Sequence, residues 1–511
     1  MAWTHAYYFR AVSRQRLFKK GTPLELEITD VAFGGKGIAK IETERGPYTV
    51  FVPNTIKGQR VRARVSRCKS RWSECKLDEV LERAPQETEI PYQAIPGAPY
   101  ATLPIAEQHA LKERTTLDVY ERVGGVEFIP GLYQGLTGSP DDWHYRNKME
   151  YSFAAIGREP GEIESVDGFF LGFKVRGTWW SVENLNRDSG LFDAELENAL
   201  PHLRKFCFDS GLPAWHAPRR EGFFRFLVVR KSLHENRILI QLVTTSKDLD
   251  RFDLEGFVDL CAEQLSGRLA GFIHAINDDT GERVEARAGQ TQLVRGEESV
   301  TERVLGLDFS ISMKSFFQTN PRCAEKLYSQ ALDYVMAPND AEGEIMLDLF
   351  CGTGTIAQLL AQRTGMPVVG VDIVEDAIID ARKSAAANRA SEGDSDITFH
   401  AADAGRFLLD HPEYKGRIHT VVLDPPRAGI SPKSLRKVMR LGAPRMVYIS
   451  CNPATQARDL ATLRQYGYHL KALKLVDQFP HTSHIEAVAL IEISHELRGK
   501  IHPDLEKPHH V

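Results

Sequence analysis

Three apolar runs in the last third of the chain each end in a loop of different chemistry, and this pattern constrains the fold more than any other feature. Met346-Leu347-Asp348-Leu349-Phe350 runs into Cys351-Gly352-Thr353-Gly354-Thr355, Val421-Val422-Leu423 into Asp424-Pro425-Pro426-Arg427, and Arg445-Met446-Val447-Tyr448-Ile449 into Ser450-Cys451-Asn452-Pro453. The composition is that of buried strands, and glycine or proline stops each one. Candidate strands at 345–350, 368–372, 397–400, 419–423, 445–450 and 486–493 alternate with helical patterns. Such alternation predicts an α/β fold, with a doubly wound Rossmann-like domain over residues 313–494. In an open parallel sheet ligands bind in the crevice outside the carboxyl ends of the strands, so the loops should share one site.

The remaining sequence reads differently. A chain of 511 residues is too long for one core and should divide into domains. Short strands broken by glycine turns over 21–84 predict a small OB-like β-barrel. Residues 85–312 mix β-rich runs such as 237–243 with helical stretches at 104–122 and 254–268, which predicts a central α+β domain. The first 20 residues form a basic arm (Arg10, Arg14, Arg16, Lys19, Lys20) with no apolar core segment, which excludes a secretory signal; residues 495–511 read as a polar tail. No run approaches the roughly 20 apolar residues of a membrane span, so no membrane partner is expected. Seven scattered cysteines, at 68, 75, 207, 261, 323, 351 and 451, point to a reducing, cytoplasmic compartment.

A net charge of −5 confines any polyanion-binding surface to a local patch. Such a patch lies between Lys57 and Lys76, where eight basic residues face a single acid, Glu74. Arg60, Arg62 and Arg64 alternate with small apolar residues and so share one strand face. With Arg67, Lys69, Arg71 and the stacking surface of Trp72, they are the predicted RNA-binding residues.

The glycine turn carries the cofactor reading. Gly352 and Gly354 let backbone approach a ligand closely, and Asp372, twenty residues after Gly352 at the end of Val368-Val369-Gly370-Val371, can accept ribose hydroxyls. The third glycine of the dinucleotide fingerprint is missing, which favours S-adenosylmethionine over NAD. Cys351, inside that turn, reads as a packing residue. Cys451, at a strand end, reads as a nucleophile, and Glu486, which opens the last strand, can lie across the sheet end from it as a base. A thiol and a base beside a methyl donor are what methyl transfer to a pyrimidine C5 requires, because that carbon becomes nucleophilic only after a thiolate adds to C6. Asp424 is placed to hold the pyrimidine edge or the cofactor, and Arg427 to steady a phosphate or charge developing on O4.

In this order, Ser315-Phe316-Phe317-Gln318-Thr319-Asn320, the D-L-F-C-G-T-G turn, V-G-V-D, L-D-P-P-R-A-G, S-C-N-P-A-T and F-P-H-T-S-H-I-E resemble the signature series of the RNA uracil-5-methyltransferases, which make 5-methyluridine in ribosomal or transfer RNA with S-adenosylmethionine. The resemblance is strongest over 313–493, extends to Tyr145-Arg146-Asn147-Lys148, and likens the N-terminal barrel to a TRAM domain. It implies that Cys451 is the nucleophile and Glu486 the C5 proton acceptor, with Gln318, Phe350, Thr355, Asp372, Asp403 and Asp424 at cofactor-binding positions. The barrel favours ribosomal RNA, 23S above all, as substrate for a monomeric enzyme. Transfer-RNA uracil methylation, RNA cytosine-C5 methylation and noncatalytic RNA binding stay open. Many ribosomal members of this family hold an iron–sulfur cluster through four cysteines, three of them just after the barrel. The corresponding stretch here, Ile90 to His109, has no cysteine, so no cluster and no metal are expected.

Overall fold

The computed structural model describes residues 17–44, 46–285, 289–337, 343–392, 396–497 and 505, and among these the chain forms two compact units, up to Thr88 and from Glu89 onward. The basic arm as far as residue 16, and most of the tail expected at 495–511, lie outside the described residues.

The first unit is a six-stranded sheet built from β1 (Pro23–Glu27), β2 (Asp30–Ala32), β3 (Lys36–Thr43), β4 (Gly46–Pro53), β5 (Arg60–Cys68) and β6 (Trp72–Glu82), in the order β1-β5-β6-β4-β3-β2. Alternation sends Val61, Ala63 and Val65 of β5 inward to meet Leu26, Tyr48, Val50 and Val52, and sends Arg60, Arg62 and Arg64 outward. The long β6 has a charged composition that hides it in the sequence; ladder bonds to β5 and β4 hold it.

In the second unit, α1 (Ile105–Arg122) and β7 (Tyr133–Thr137) precede a mixed sheet. That sheet contains β8 (Lys148–Arg158), β9 (Val166–Lys174), β10 (Val182–Asn184), β11 (Phe224–Ser232), β12 (Arg237–Thr244), β13 (Leu269–Ile276) and β14 (Gln290–Gly296), in the order β10-β9-β8-β11-β12-β13-β14. The helices α2 (Ala194–Asp209) and α3 (Leu254–Gln264) cover one face. A hairpin, β15 (Ser299–Val304) and β16 (Leu307–Ser312), then leads to α4 (Pro321–Met336).

The elements that follow are β17 (Ile345–Leu349), α5 (Thr355–Thr364), β18 (Val368–Asp372), α6 (Glu375–Glu392), β19 (Ile397–Ala401), α7 (Ala404–Asp410), β20 (Ile418–Leu423), α8 (Pro432–Arg440), β21 (Arg445–Ser450), α9 (Pro453–Gln465), β22 (Tyr468–Val476) and β23 (Glu486–Ile493). Their sheet runs β19-β18-β17-β20-β21-β23-β22-β7. The strands from β17 to β21 are parallel, while β23 runs antiparallel to β21 and to β22. The doubly wound fold is therefore as expected.

Two features depart from the reading of the sequence. Tyr468–Val476 is a strand, although its Ala, Leu and Lys content favours helix; pairing with β23 on one side and β7 on the other overrides that propensity. In addition, α1 and β7, from the stretch read as central domain, belong to the C-terminal layer, and one hydrophobic core runs from Phe226 and Leu239 through the hairpin and α4 to Met346 and Val447. Position 312 is thus a change of element within one packed body.

The strand β21 is anchored at its start by an arginine. Arg445 is buried, donates to Glu492 Oε1 on the adjacent strand, and caps the C-terminus of α4 through the carbonyls of Tyr334, Val335 and Ala337 at 3.1, 2.9 and 2.7 Å. Helix-terminal carbonyls need such donors. Replacing Arg445 by Met should strand Glu492 and these carbonyls and lower stability by about 3–5 kcal/mol, read as a lower urea midpoint; an unchanged midpoint would show that the cap contributes little.

Candidate active site

The parallel strands β17, β20 and β21 end on one side of the sheet, and antiparallel β23 begins there. Ser450 is paired with Ala487, so one step further the chain brings Cys451 opposite Glu486. Leu349 is paired with Leu423, which sets Phe350 beside Asp424. Backbone register alone therefore gathers the glycine turn, the Asp-Pro-Pro loop, the thiol and the carboxylate at one crevice.

Of the seven cysteines, Cys451 is half-buried and the other six are buried. Burial pushes its thiol up to about 11, with the negative charges of Glu486 and Asp424 adding to the shift and Arg427 opposing it. Burial raises Asp424 to about 7. Glu486, which is buried, is raised to about 8 by burial and then by the charge of Asp424, again with Arg427 opposing. Two such carboxyls titrate as a pair and retain a proton between them near neutral pH. The site therefore holds a protonated thiol facing acids whose affinity for protons suits exchange at working pH. Asp348, which the sequence reading left without a role, lies beneath the crevice with no exposure, and burial followed by the nearby Asp424 charge drives its carboxyl well up.

The turn after β17 is conformationally unusual. Phe350 has φ of 67°, a value costly for a bulky side chain, and its N–H donates to Val371 O at 2.8 Å. Gly354 has φ of 76°, and a Cβ there would lie 2.7 Å from the Phe399 ring, so packing and backbone both require glycine. Gly352 N–H donates to Asp372 Oδ2 and Val374 N–H to Asp372 Oδ1, each at 2.9 Å. This holds the carboxylate at the lip of the crevice, next to Ile373 and Val374, which are 71% and 53% exposed. An acid beside bare apolar side chains, over a turn where a Gly352 Cβ would meet no atom within 4 Å, suits the ribose and flat base of an adenosine. Thr355 is buried at the start of α5. Asp403 caps α7, accepting from Arg406 N at 2.8 Å. Gln318 accepts from Gln478 Nε2 at 2.7 Å through its side chain and from Asn147 Nδ2 at 3.1 Å through its carbonyl. Cys351 is buried in the core, as its packing role predicts.

Where clustered cysteines would stand, residues 90–104 are fixed by polar contacts. Gln93 donates to Asn184 O at 2.7 Å and accepts from Asn186 N at 2.9 Å, while Arg176 donates to Pro96 O at 3.0 Å. Among the described residues, no group of His, Cys, Asp or Glu is arranged to hold a metal ion, and no helix is long and apolar enough to cross a membrane.

The barrel corrects one expectation. Arg60 pairs with Glu25 and Glu82, Arg62 with Glu25 and Glu79 at 3.2 and 2.9 Å, and Arg64 with Asp78 at 2.8 Å. The expected cationic strip is a charge ladder, because β6 continues past the basic window into acids that face it. At the β5–β6 turn the picture differs. Lys69 and Arg71 are exposed, the Arg67 guanidinium lies 5.6 Å from the Trp72 ring, and Trp72 meets Phe51 edge to face at 6.0 Å.

Comparison with known proteins shows the family. Residues 273–493 match the tRNA (uracil-5-)-methyltransferase family model, and residues 18–77 match the TRAM domain. An uncharacterized RNA methyltransferase of Clostridium acetobutylicum is 34% identical, covering 93% of this chain and 99% of its own length. Another from Clostridium tetani is 32% identical over 92% of this chain and 97% of its own. The structure of the Pyrococcus abyssi tRNA (uracil-54, C5)-methyltransferase with S-adenosyl-L-homocysteine shares the fold, with a TM-score of 0.67 at 23% identity, covering 91% of this chain and 99% of that one. The chain belongs to the RNA uracil-5-methyltransferase family and is an S-adenosylmethionine-dependent RNA methyltransferase with an N-terminal TRAM domain.

Proposed function

We propose that this enzyme forms 5-methyluridine in a structured RNA through a covalent bond between Cys451 and uracil C6. One observation carries the reading: the single incompletely buried cysteine stands opposite a buried carboxyl of raised pKa, at the mouth of the glycine-turn crevice. Cys451 gives its proton to the ionised member of the carboxyl pair, which passes it on to solvent and is a base again, and Sγ adds to C6, sending the C5–C6 electron pair to C5 and O4. Arg427 steadies that charge. When bound, S-adenosylmethionine supplies an electrophilic methyl group; Gly352, Gly354 and Asp372 would hold its adenosine, with Gln318, Phe350, Thr355, Asp403 and Asp424 around it. After C5 is methylated, Glu486 takes the C5 proton, the C5–H electrons restore the C5–C6 double bond, and the C6–S bond breaks to release the thiolate.

The favoured substrate is ribosomal RNA, 23S in particular, on account of the barrel. Transfer RNA is the second reading, supported by the description of the matching family model and by the archaeal enzyme named for its tRNA site. The target uridine must leave its stack to reach the crevice. The enzyme works as a monomer in the cytoplasm, where Cys451 stays reduced. On the barrel, Arg67, Lys69, Arg71 and Trp72 contact RNA, and the paired Arg60, Arg62 and Arg64 contribute less.

Mapping 5-methyluridine in ribosomal and transfer RNA from cells with and without the protein tests the substrate: a site lost from neither pool would overturn the function. Cys451→Ser should abolish single-turnover methyl transfer. Glu486→Gln should slow turnover about 10²–10⁴-fold and accumulate a methylated protein–RNA adduct on denaturing gels; normal turnover without adduct would remove Glu486 from the chemistry.

Because Asp424 and Glu486 have folded pKa values near 7 and 8 against about 4 when unfolded, the folded state binds more protons between those limits. The contribution of this pair to stability therefore falls as pH rises from about 4 to 8. The double variant Asp424→Asn, Glu486→Gln should be more stable than wild type at pH 8 by about 2 kcal/mol or more, with the gap closing near pH 4 in calorimetry.

Replacing Arg67, Lys69 and Arg71 by Gln should lower the salt slope of RNA binding by about 3. The same change at Arg60, Arg62 and Arg64 should lower it by less than about 1; equal slopes would restore the strand face as the binding surface.

A further inference from the structure

The nine residues 477–485 join β22 to β23 and are closed by the pairing of Val476 with Glu486. Their conformation fixes how Glu486 enters the site. The loop is gripped by residues far earlier in the chain. Lys112 Nζ donates to Asp477 Oδ1 at 2.7 Å and to Phe479 O at 3.1 Å. His109 Nε2 lies 3.3 Å from Asp477 Oδ2. Gln108 Oε1 accepts from His481 N at 2.7 Å, Tyr145 Oη donates to Pro480 O at 3.0 Å, and Tyr100 N to His481 O at 3.0 Å. His481 itself has φ of 66° and stacks on Trp143 with centroids 3.6 Å apart. A strained backbone of this kind persists only where its surroundings over-determine it.

Lys112 is 3% exposed and Asp477 0%. A buried ion pair is a poor way to gain stability, since an apolar pair of similar volume often serves as well or better. An apolar side chain, however, could not hold the Asp477 carboxylate and the Phe479 carbonyl at once. Burial alone drives the Asp477 carboxyl up, but Lys112 and His109 outweigh it and the net direction is down, so the loop end stays charged and tied.

We propose that Lys112 is a positioning residue for Glu486: by clamping Asp477 and Phe479, it fixes the loop so that the Glu486 carboxylate reaches the C5 proton. This rests on the reading of Glu486 as proton acceptor. Lys112 would then act on adduct resolution and leave thiol addition and methyl transfer largely untouched.

Lys112→Met alone strands a buried carboxylate, which is strongly destabilising, so the informative variant is the double Lys112→Met, Asp477→Leu, with Lys112→Arg as the conservative control. Single turnovers use radiolabelled S-adenosylmethionine and total RNA from cells lacking the protein. They separate label reaching RNA from label retained on protein after denaturation. The double variant should methylate within about threefold of wild type yet hold the adduct about tenfold longer or more, as expected for a displaced base. Its elimination step should also require higher pH, and Lys112→Arg should restore part of the rate. Parallel loss of both steps together with thermal stability, or adduct decay at the wild-type rate, would overturn the proposal. If Glu486→Gln accumulates no adduct while wild type methylates, the reading of Glu486 fails first.

Discussion

The active site depends on one antiparallel pairing in a sheet that is otherwise largely parallel. A parallel strand following β21 would begin at the opposite edge of the layer, distant from the crevice. By reversing, β23 starts where β21 stops, and the register of the two strands brings Glu486 beside Cys451. The pairing is fixed at its far end by Arg445 and Glu492, which are register partners and also tie the two strands to α4. A slip of one residue would turn either the thiol or the carboxylate to the opposite face of the sheet.

Much of this was legible in the sequence, because strand ends marked by Gly-x-Gly, Asp-Pro-Pro and Cys-Asn-Pro are local signals. Register did the rest, and the thiol, the acid and the glycine turn meet as their order implied. The parts that were not legible are those decided by distant partners. Tyr468–Val476 has helical composition and becomes a strand only because β7 and β23 flank it. Lys112 sits in a helix that the pattern predicts, yet nothing local separates a buried lysine from a solvated one, and its partner Asp477 lies 365 residues away. The arginines of β5 were read in a window from Lys57 to Lys76, which leaves out the acids that neutralise them, Glu25 on β1 and Asp78, Glu79 and Glu82 on β6.

The electrostatics of the crevice follow from crowding three acids under one glycine turn. Asp348, Asp424 and Glu486 are each held toward the neutral form by burial, with like-charge neighbours reinforcing Asp348 and Glu486. Arg427, exposed at the rim, is the opposing charge that both Cys451 and Glu486 experience. A site in this state carries less negative charge than its composition suggests, which favours the approach of an RNA strand. The same crowding weakens the folded state above neutral pH, an instance of stability yielding to chemistry.

The burial of six cysteines has a practical consequence for the seventh. A bulky thiol reagent applied to the native protein has one sulfur within reach, so incorporation measures the number of intact crevices in a preparation. The high proton affinity of that sulfur makes such labelling slow at neutral pH and faster in alkali. Mild oxidants meet the same selectivity, and under the covalent mechanism proposed for Cys451 their first lesion silences turnover while leaving the architecture in place.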